Sequence, residues 1–404
     1  MKKLLLLIIS ALFVCTLAAG KAPEKLKVGL YVDFGSKGNG VLHLASLIAY
    51  SPQTELVTVM AEDIRAGKLK EIDVLVMPGG NSWRQVKTIG IEHEEKIHTF
   101  LKNGGGYVGT CAGMYNVVQG QPGIRLNLLP YDRFRNAGGP TAFIEVEISK
   151  EGGEIMGVKP GIHVVRYSGG PLVFPLKSAP KGGKGKTLGV FKTAVAKKAE
   201  FEKKFFNSPA VIYGTYGKGK IIATSFHPEY WESNHPLMLG CFYAVTGVRM
   251  TPVFPKKNPR PWRVGILSSA IQGHEPVRAM LDLERHPDID LDYVMLREIS
   301  DGILHHLDYL VLPHGNPGFY KVSVQRPYLQ KAFLEFMERG GVVLASGFPQ
   351  LCRHALLPRY TFSDPLCHAD GTAGRTATLH QKNCPHSGSD PARFPERGRC
   401  DRPW

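Results

Sequence analysis

Cysteine is scarce in this chain. There are seven in 404 residues, and Cys15 lies inside an N-terminal apolar run. Residues 21–250 hold only Cys111 and Cys241, so no disulfide framework is written into them. Long apolar runs are equally few: past residue 20 none reaches bilayer-spanning length. With 21% charged and 43% hydrophobic residues, the composition is that of a globular chain rather than a disordered one. The basic residues are neither interleaved with aromatics nor set on a basic helix, which argues against a nucleic-acid module. Nothing in the sequence calls for a cofactor.

What is present begins with MKKLLLLIISALFVCTLAAG, residues 1–20. Two lysines, an uncharged run from Leu4 to Ala19 and the small residues Ala18-Ala19-Gly20 read as a signal peptide, which makes the expected location periplasmic or secreted. A retained anchor is the alternative, because the run approaches spanning length. Bulky Phe13 and Val14 before Cys15 argue against lipid attachment. After cleavage no stable membrane span is expected. The formal charge is +15, and loss of Lys2 and Lys3 leaves 48 − 35 = +13. Nine lysines between Lys177 and Lys204 supply much of that excess. GGKGKT, residues Gly182 to Thr187, lacks the glycine spacing of a phosphate-binding loop and is expected to be a solvated loop.

From Lys27 the chain alternates apolar strands (KVGLYV, ELVTVM, DVLVMP, GYVGT) with helical stretches (GVLHLASLIAY, HEEKIHTFLKN). That alternation predicts an α/β fold, a parallel sheet covered by helices on both faces. The order then recurs: EIDVLVMPGGN ends at Asn81 and HLDYLVLPHGN at Asn316, an offset of 316 − 81 = 235. GGYVGTCAG from Gly105 matches GGVVLASGF from Gly340 at the same offset. The expected organisation is a signal (1–20), a first domain (21–250), a proline-rich basic linker (251–260) and a partial second copy (261–352). In that alignment Ser346 replaces Cys111, His314 replaces Gly79 and Phe348 replaces Gly113, so the second copy is degenerate. Residues 353–404 contain no Ile, Val or Met and are expected to form a disordered tail without strands. Cys367, Cys384 and Cys400, with His368 and His386, lack paired CxxC spacing, and no metal site is assigned.

Gly109-Thr110-Cys111-Ala112-Gly113 has the form of a nucleophile elbow, a strained strand-to-helix turn that requires small neighbours. The helix that follows favours a thiolate. In ATSFHPEY an apolar strand delivers His227, and Glu229, two residues on in an extended segment, faces the same way. A Cys–His–Glu triad follows: Cys111 as nucleophile, His227 as base, Glu229 orienting the imidazole. Gly79-Gly80 ends an earlier strand, where a backbone N–H, together with that of Ala112, is placed to hold an oxyanion.

In this order, PGG, GTCAG and SFHPE on an α/β pattern resemble the class I glutamine amidotransferase superfamily. The longer strings GGGYVGTCAGMY, RYSGGPLV and YGTYGKGKIIATSFHPE are similar, more narrowly, to the biotin-protein ligase N-terminal-domain family. The resemblance covers roughly Lys27 to Gly247, with a weaker echo over Trp262 to Phe348. It implies a flavodoxin-like sandwich and carries the triad onto Cys111, His227 and Glu229 and the oxyanion glycine onto Gly80. It also implies Gly79, Tyr167, Gly169 and Gly170 as substrate-facing positions. Biotin ligation itself belongs to a separate domain with a glycine- and arginine-rich adenylate loop, which is not found here.

The expected activity is therefore an exported cysteine hydrolase acting on a small-molecule or peptide-like amide. The alternatives are a non-catalytic ligand-binding or scaffolding protein of the same fold, and a glutaminase subunit supplying ammonia to a partner. The sequence does not fix the oligomeric state.

Overall fold

The structure is a computed structural model and describes residues 24–121, 123–135, 137–178, 183–196, 198–230, 235–313, 326–346, 360–363 and 376–381. The first strands are β1 (Leu26–Tyr31), β2 (Thr54–Val59), β3 (Val74–Met77) and β4 (Gly106–Thr110). Every residue of β3 and β4 is buried, as expected of strands covered on both faces. A short pair, β5 (Tyr131–Arg133) and β8 (Val173–Pro175), brackets β6 (Ala142–Ile148) and β7 (Gly161–Tyr167) in sequence. The first half closes with β9 (Lys184–Phe191), β10 (Pro209–Tyr216) and β11 (Gly219–Thr224).

Nine of these strands form one sheet in the order β2-β1-β3-β4-β11-β10-β9-β6-β7. The pairs from β2 through β11 are parallel. From β11 onward every pair is antiparallel, so the expected parallel sandwich is extended by an antiparallel half. The Lys184–Thr187 part of GGKGKT is not a loop: it opens β9, paired with β10, and its exposed lysines alternate with glycine along a strand. Gly182 lies outside the described residues.

A second sheet is built from β12 (Trp262–Leu267), β13 (Ile289–Val294), β14 (Tyr309–Leu312), β15 (Val342–Ser346), β16 (Tyr360–Ser363) and β17 (Thr376–Gln381), ordered β13-β12-β14-β15-β17-β16. Its first four strands repeat the arrangement of β2-β1-β3-β4. The expectation that the chain beyond Arg353 builds no strand is corrected at β16 and β17, which pair antiparallel with each other, β17 also lying antiparallel to β15. Thr, Tyr, Phe and Leu supply enough β-forming side chains there without Ile or Val. Residues 1–20 and the tail cysteines lie outside the described residues.

Strand register moves one alignment. Val74 pairs with Gly106 in the first sheet, and Tyr309 pairs with Val342 in the second. Gly105 bonds to the Phe100 carbonyl as Gly341 bonds to that of Phe336. The offset here is 341 − 105 = 236, one more than the sequence alignment gave, because three consecutive glycines allow the slip. Ser346 therefore stands where Thr110 does, not where Cys111 does. The counterpart of Cys111 is Gly347, which, like His314 and Phe348, lies outside the described residues.

The two halves share a core. The helix Gly38–Ala49 is buried at eleven of its twelve positions, because the first sheet covers one side and the helix His274–Arg285 the other. Met280, Val277, Ile271 and Ile266 of the second half belong to the same apolar cluster as Leu42, Leu44 and Ala45. Ser46 Oγ reaches the Glu284 carboxylate at 2.8 Å, and the Tyr50 hydroxyl donates to the Leu281 carbonyl at 3.3 Å. Residues 251–260 run between the halves without a regular element, tied to the first half by Val253 N–H on the Tyr50 carbonyl and to the second by Asn258 N–H on the Pro287 carbonyl.

Candidate active site

The site lies at the carboxyl ends of β3, β4 and β11, where ligands gather in sheets of this kind. β4 stops at Thr110 and a helix, Ala112–Val117, starts at once. Cys111 makes the turn at φ 49° and ψ −97°, a left-handed conformation that costs a non-glycine residue on the order of 1–3 kcal/mol. Its surroundings enforce that conformation. A Cβ on Gly113 would sit 2.2 Å from the Met77 carbonyl oxygen, and one on Gly109 2.7 Å from the Gly113 carbonyl carbon. The Cys111 N–H donates to the Thr224 carbonyl at 2.8 Å, and the Tyr107 hydroxyl to the Gly113 carbonyl at 2.8 Å. The elbow is thus tied to β11 and back to β4, and Cys111 is only 5% exposed.

β11 ends at Thr224, so His227 and Glu229 do not occupy an extended strand; Pro228 and Glu229 form a turn. That turn brings about the contact that the extended reading predicted by another route. His227 Nδ1 lies 2.8 Å from Glu229 Oε1, and the His227 N–H donates to the Arg166 carbonyl at 2.8 Å. The imidazole lies beside Cys111, whose charge acts on it and whose Sγ lies 3.5 Å from the Ser168 carbonyl. Burial alone would lower the imidazole's pKa, but the charges of Glu229 and Cys111 and the hydrogen bond to Glu229 outweigh it and raise the pKa above the ordinary 6.5. An imidazolium beside a sulfur is therefore the favoured charge state of this pair.

Glu229 is completely buried. Oε1 accepts from the Thr110 hydroxyl at 3.3 Å as well as from His227. Oε2 has no hydrogen-bond partner among the described residues. Gly40, in the first turn of the helix Gly38–Ala49, is close enough that a Cβ there would lie 3.0 Å from Oε1. The positive end of that helix thus faces the carboxylate, a placement that stabilises the charge.

Gly79 lies against both side chains: a Cβ there would come 2.5 Å from His227 Cε1 and 3.6 Å from Cys111 Cβ. Gly80 has φ 141°, and a Cβ on it would strike the Gly35 carbonyl at 2.1 Å. It forms an isolated antiparallel bridge with Ser36, in which Lys37 N–H bonds Gly79 and Asn81 N–H bonds Gly35. In that pattern the Gly80 N–H points away from Ser36 and stays available. Ala112 holds the first position of its helix, where the N–H has no intrahelical acceptor.

The three positions near residue 170 divide. Tyr167 is fully buried, its ring against Phe191 and Phe205. Its hydroxyl donates to the Gly170 carbonyl at 2.7 Å and accepts from the Gly139 N–H at 3.1 Å. It is a core residue that shapes the loop, and the expectation of a substrate wall is corrected. Gly170 is likewise pressed on backbone, since a Cβ there would meet the Ser225 carbonyl at 1.7 Å. Gly169 alone opens outward, with φ 68° and nothing within 4 Å of an added Cβ. It lines a cavity of about 630 Å³ beside the elbow helix. Clefts of about 760 and 790 Å³ that include Lys70 and Asp73 lie at the start of β3, the opposite end of the sheet.

Four neighbours escaped the sequence reading. Thr110 holds Glu229. Tyr230 stacks edge-on against His227 at 5.2 Å between ring centres, and the Arg166 guanidinium lies 4.2 Å over the Tyr230 ring. His43 sits between Tyr230 and Tyr293 of the second half, at 5.0 and 4.9 Å. Burial, then the positive charges of His235 and Arg166, lower its pKa to about 3, so it is neutral where His227 is charged. A histidine inside the apolar GVLHLAS face was the available signal. Among the described residues no three His, Cys, Asp or Glu side chains gather as a metal centre, and no helix is long and apolar enough to cross a membrane.

Residues 30–119 match the family model described as "Biotin-protein ligase, N terminal", a span that includes Gly79, Gly80, Cys111 and Ala112 but stops before His227. The resemblance read from the sequence holds over that span. A biotin–protein ligase of Schizosaccharomyces pombe is 28% identical over 173 residues, 41% of this chain and 27% of its own length. The chain thus spans about a quarter of that relative. Among solved structures, a glutamine amidotransferase is 21% identical with a TM-score of 0.38, covering 55% of this chain and 99% of its own. A ThuA-like protein from Bacteroides uniformis is 16% identical with a TM-score of 0.40, covering 56% and 94%.

Proposed function

We propose that the first half of this chain is a cysteine hydrolase that cleaves an amide bond in a small or peptide-like substrate. The observation that carries the reading is His227, hydrogen-bonded to a buried Glu229 and packed with Cys111 against Gly79 beside a strained elbow. In the proposed reaction the Cys111 thiolate attacks the amide carbonyl, and the carbonyl π electrons move onto oxygen. The Gly80 and Ala112 N–H groups receive that oxyanion. His227 gives its proton to the departing amine as the C–N bond breaks, leaving a thioester. Neutral His227 then takes a proton from water, which attacks the thioester and releases the acid and the thiolate. Glu229 holds the imidazole in one tautomer throughout.

The family match over residues 30–119 links this part of the chain to a ligase-associated setting, the N-terminal part of biotin-protein ligases, and supports the fold rather than the cleavage. A second reading, a ligand-binding protein that keeps the crevice without turnover, draws on the second half, which repeats the frame of β1 to β4 while its sequence has Gly347, not a thiol, at the counterpart of Cys111. Alkylation of Cys111 by iodoacetamide across pH 5 to 9 separates the two. The hydrolase reading expects alkylation much faster than that of a free thiol and a drop in His227→Ala. A slow, free-thiol profile indifferent to His227 would leave the binding reading standing. Export through residues 1–20 is part of the proposal; N-terminal sequencing of the mature protein, expected to begin near Lys21, tests it.

A further inference from the structure

The second half has no thiol at the counterpart of Cys111, yet a row of rings joins it to His227. Tyr293 of β13 meets His43 edge-on, at 4.9 Å between ring centres and 73° between planes. His43 meets Tyr230 at 5.0 Å, and Tyr230 meets His227 at 5.2 Å and 85°. Centre distances of this size, with the outer two pairs near perpendicular, are those of attractive ring contacts. His43, Tyr230 and His227 are all buried. A close-packed interior passes on a displacement rather than absorbing it.

The helix Gly38–Ala49 puts His43 in the middle of that row. Gly40, His43, Ser46 and Tyr50 recur at helical spacing and share one broad stripe. Gly40 abuts Glu229 at the top of the stripe, and Ser46 and Tyr50 bond to the second half at the bottom. The outer end of the row is fixed by hydrogen bonds. The Tyr293 hydroxyl donates to Glu284 Oε1 at 2.9 Å and lies 2.8 Å from Ser46 Oγ. At the inner end the Arg166 guanidinium, 4.2 Å over the Tyr230 ring, keeps Tyr230 from turning away. His227 has need of such backing. Its Nδ1 bond to Glu229 fixes one atom and leaves the ring able to swing about that contact. Gly79 closes on Cε1, and the edge-on contact with Tyr230 removes the remaining freedom. Misplacing a reacting group by about 1 Å costs on the order of a hundredfold in rate.

We propose that Tyr293 is a positioning residue for the site in the other half: through His43 and Tyr230 it holds the His227 ring at the angle that turns a nitrogen to Cys111. The second half then serves the first as a fixed backing, a use that requires the frame of β12 to β15 but no nucleophile in it. This deepens the hydrolase reading and rests on it for what His227 does, whereas the placement of the ring needs no turnover.

The test uses the full-length chain with its histidines isotope-labelled at Cε1, the His227 resonance being assigned by its loss in His227→Ala. Iodoacetamide labelling of Cys111 and Cys241, separated by mass spectrometry, is read on the same variants. Cys241 is buried in the core, so its labelling reports general loosening of the fold. Tyr293→Leu removes the ring; it is expected to move the His227 resonance and slow Cys111 labelling on the order of tenfold, with Cys241 unchanged. Tyr293→Phe keeps the ring and should keep the parent rate. His43→Leu cuts the row at its middle without altering the second half and should repeat the effect of Tyr293→Leu. In a Tyr230→Leu background, Tyr293→Leu should add nothing further, the mark of coupled positions. A His227 resonance unmoved in both Tyr293→Leu and His43→Leu overturns the proposal. So does a Phe variant as slow as the Leu one, an additive effect in Tyr230→Leu, or Cys241 labelling that rises wherever Cys111 labelling falls. A His227 resonance that moves as expected in a chain whose Cys111 proves unreactive retains the row of rings and sinks only the hydrolase.

Discussion

The two sheets begin alike and part at one strand. In both, an aspartate before the third strand caps the first: the Lys27 N–H donates to Asp73 at 2.8 Å and the Arg263 N–H to Asp308 at 2.9 Å. In both, a short helix closes back on a methionine N–H, through Asp63 in one and Glu298 in the other. The strand beside β4 is β11, parallel to it, and its chain emerges at the edge that holds Cys111, carrying His227 and Glu229. The strand beside β15 is β17, antiparallel, and its chain emerges at the opposite edge. A duplicated frame is therefore not a duplicated site. What gives the first half its Cys–His–Glu cluster is the direction of one strand and the few residues that follow it.

The widest break in that comparison is at the nucleophile. Cys111→Ala is expected to lower hydrolysis of a responsive amide by on the order of 10⁴–10⁶ with an unchanged circular dichroism spectrum, whereas Ser346→Ala leaves the rate as it was. Gly79→Ala comes next, because its Cβ displaces the imidazole from 2.5 Å. Steady-state kinetics should show at least about a hundredfold loss in kcat/KM, in keeping with the cost of misplacing a reacting group. Gly38→Ala tests the union of the halves: its Cβ would lie 1.5 Å from the Ser268 carbonyl. A cost of about 1–3 kcal/mol, read as a lower urea midpoint, is expected.

The smallest effect concerns protons. His227 keeps its proton in the folded state to about 10, against 6.5 when unfolded. Between those values the native state binds more protons, so stability declines as pH rises. The contribution is complete below about 6.5 and gone above about 10. Glu229→Gln removes a principal raising charge and should flatten that slope in denaturation measured from pH 6 to 10.

Much of this was legible because strong local signals agreed. The apolar runs at β1, β3 and β4 could only be covered strands, and GTCAG admits few conformations other than an elbow. His227 and Glu229 were found by spacing, although the turn at Pro228 rather than an extended strand joins them. Tyr167 was misjudged because a tyrosine beside two glycines looks the same whether its hydroxyl faces solvent or the Gly139 and Gly170 backbone. The offset at Gly104-Gly105-Gly106 slipped because identical residues carry no register. Tyr230 and Tyr293 gave no pattern in sequence; the fold alone draws them to either side of His43.

The shared core also has a timetable. The helix Gly38–Ala49 is complete early in synthesis, but the surface that covers its outer side ends with β13. From the end of the helix His235–Thr246 to Val294 there are 294 − 246 = 48 residues, roughly 2–10 s of translation. For those seconds the first sheet is finished while Leu42, Leu44 and Ala45 await Met280 and Val277, and the turn facing Glu229 lacks its brace. A chain halted in that interval presents a sticky, half-buttressed first sheet to whatever chaperone or protease is nearest.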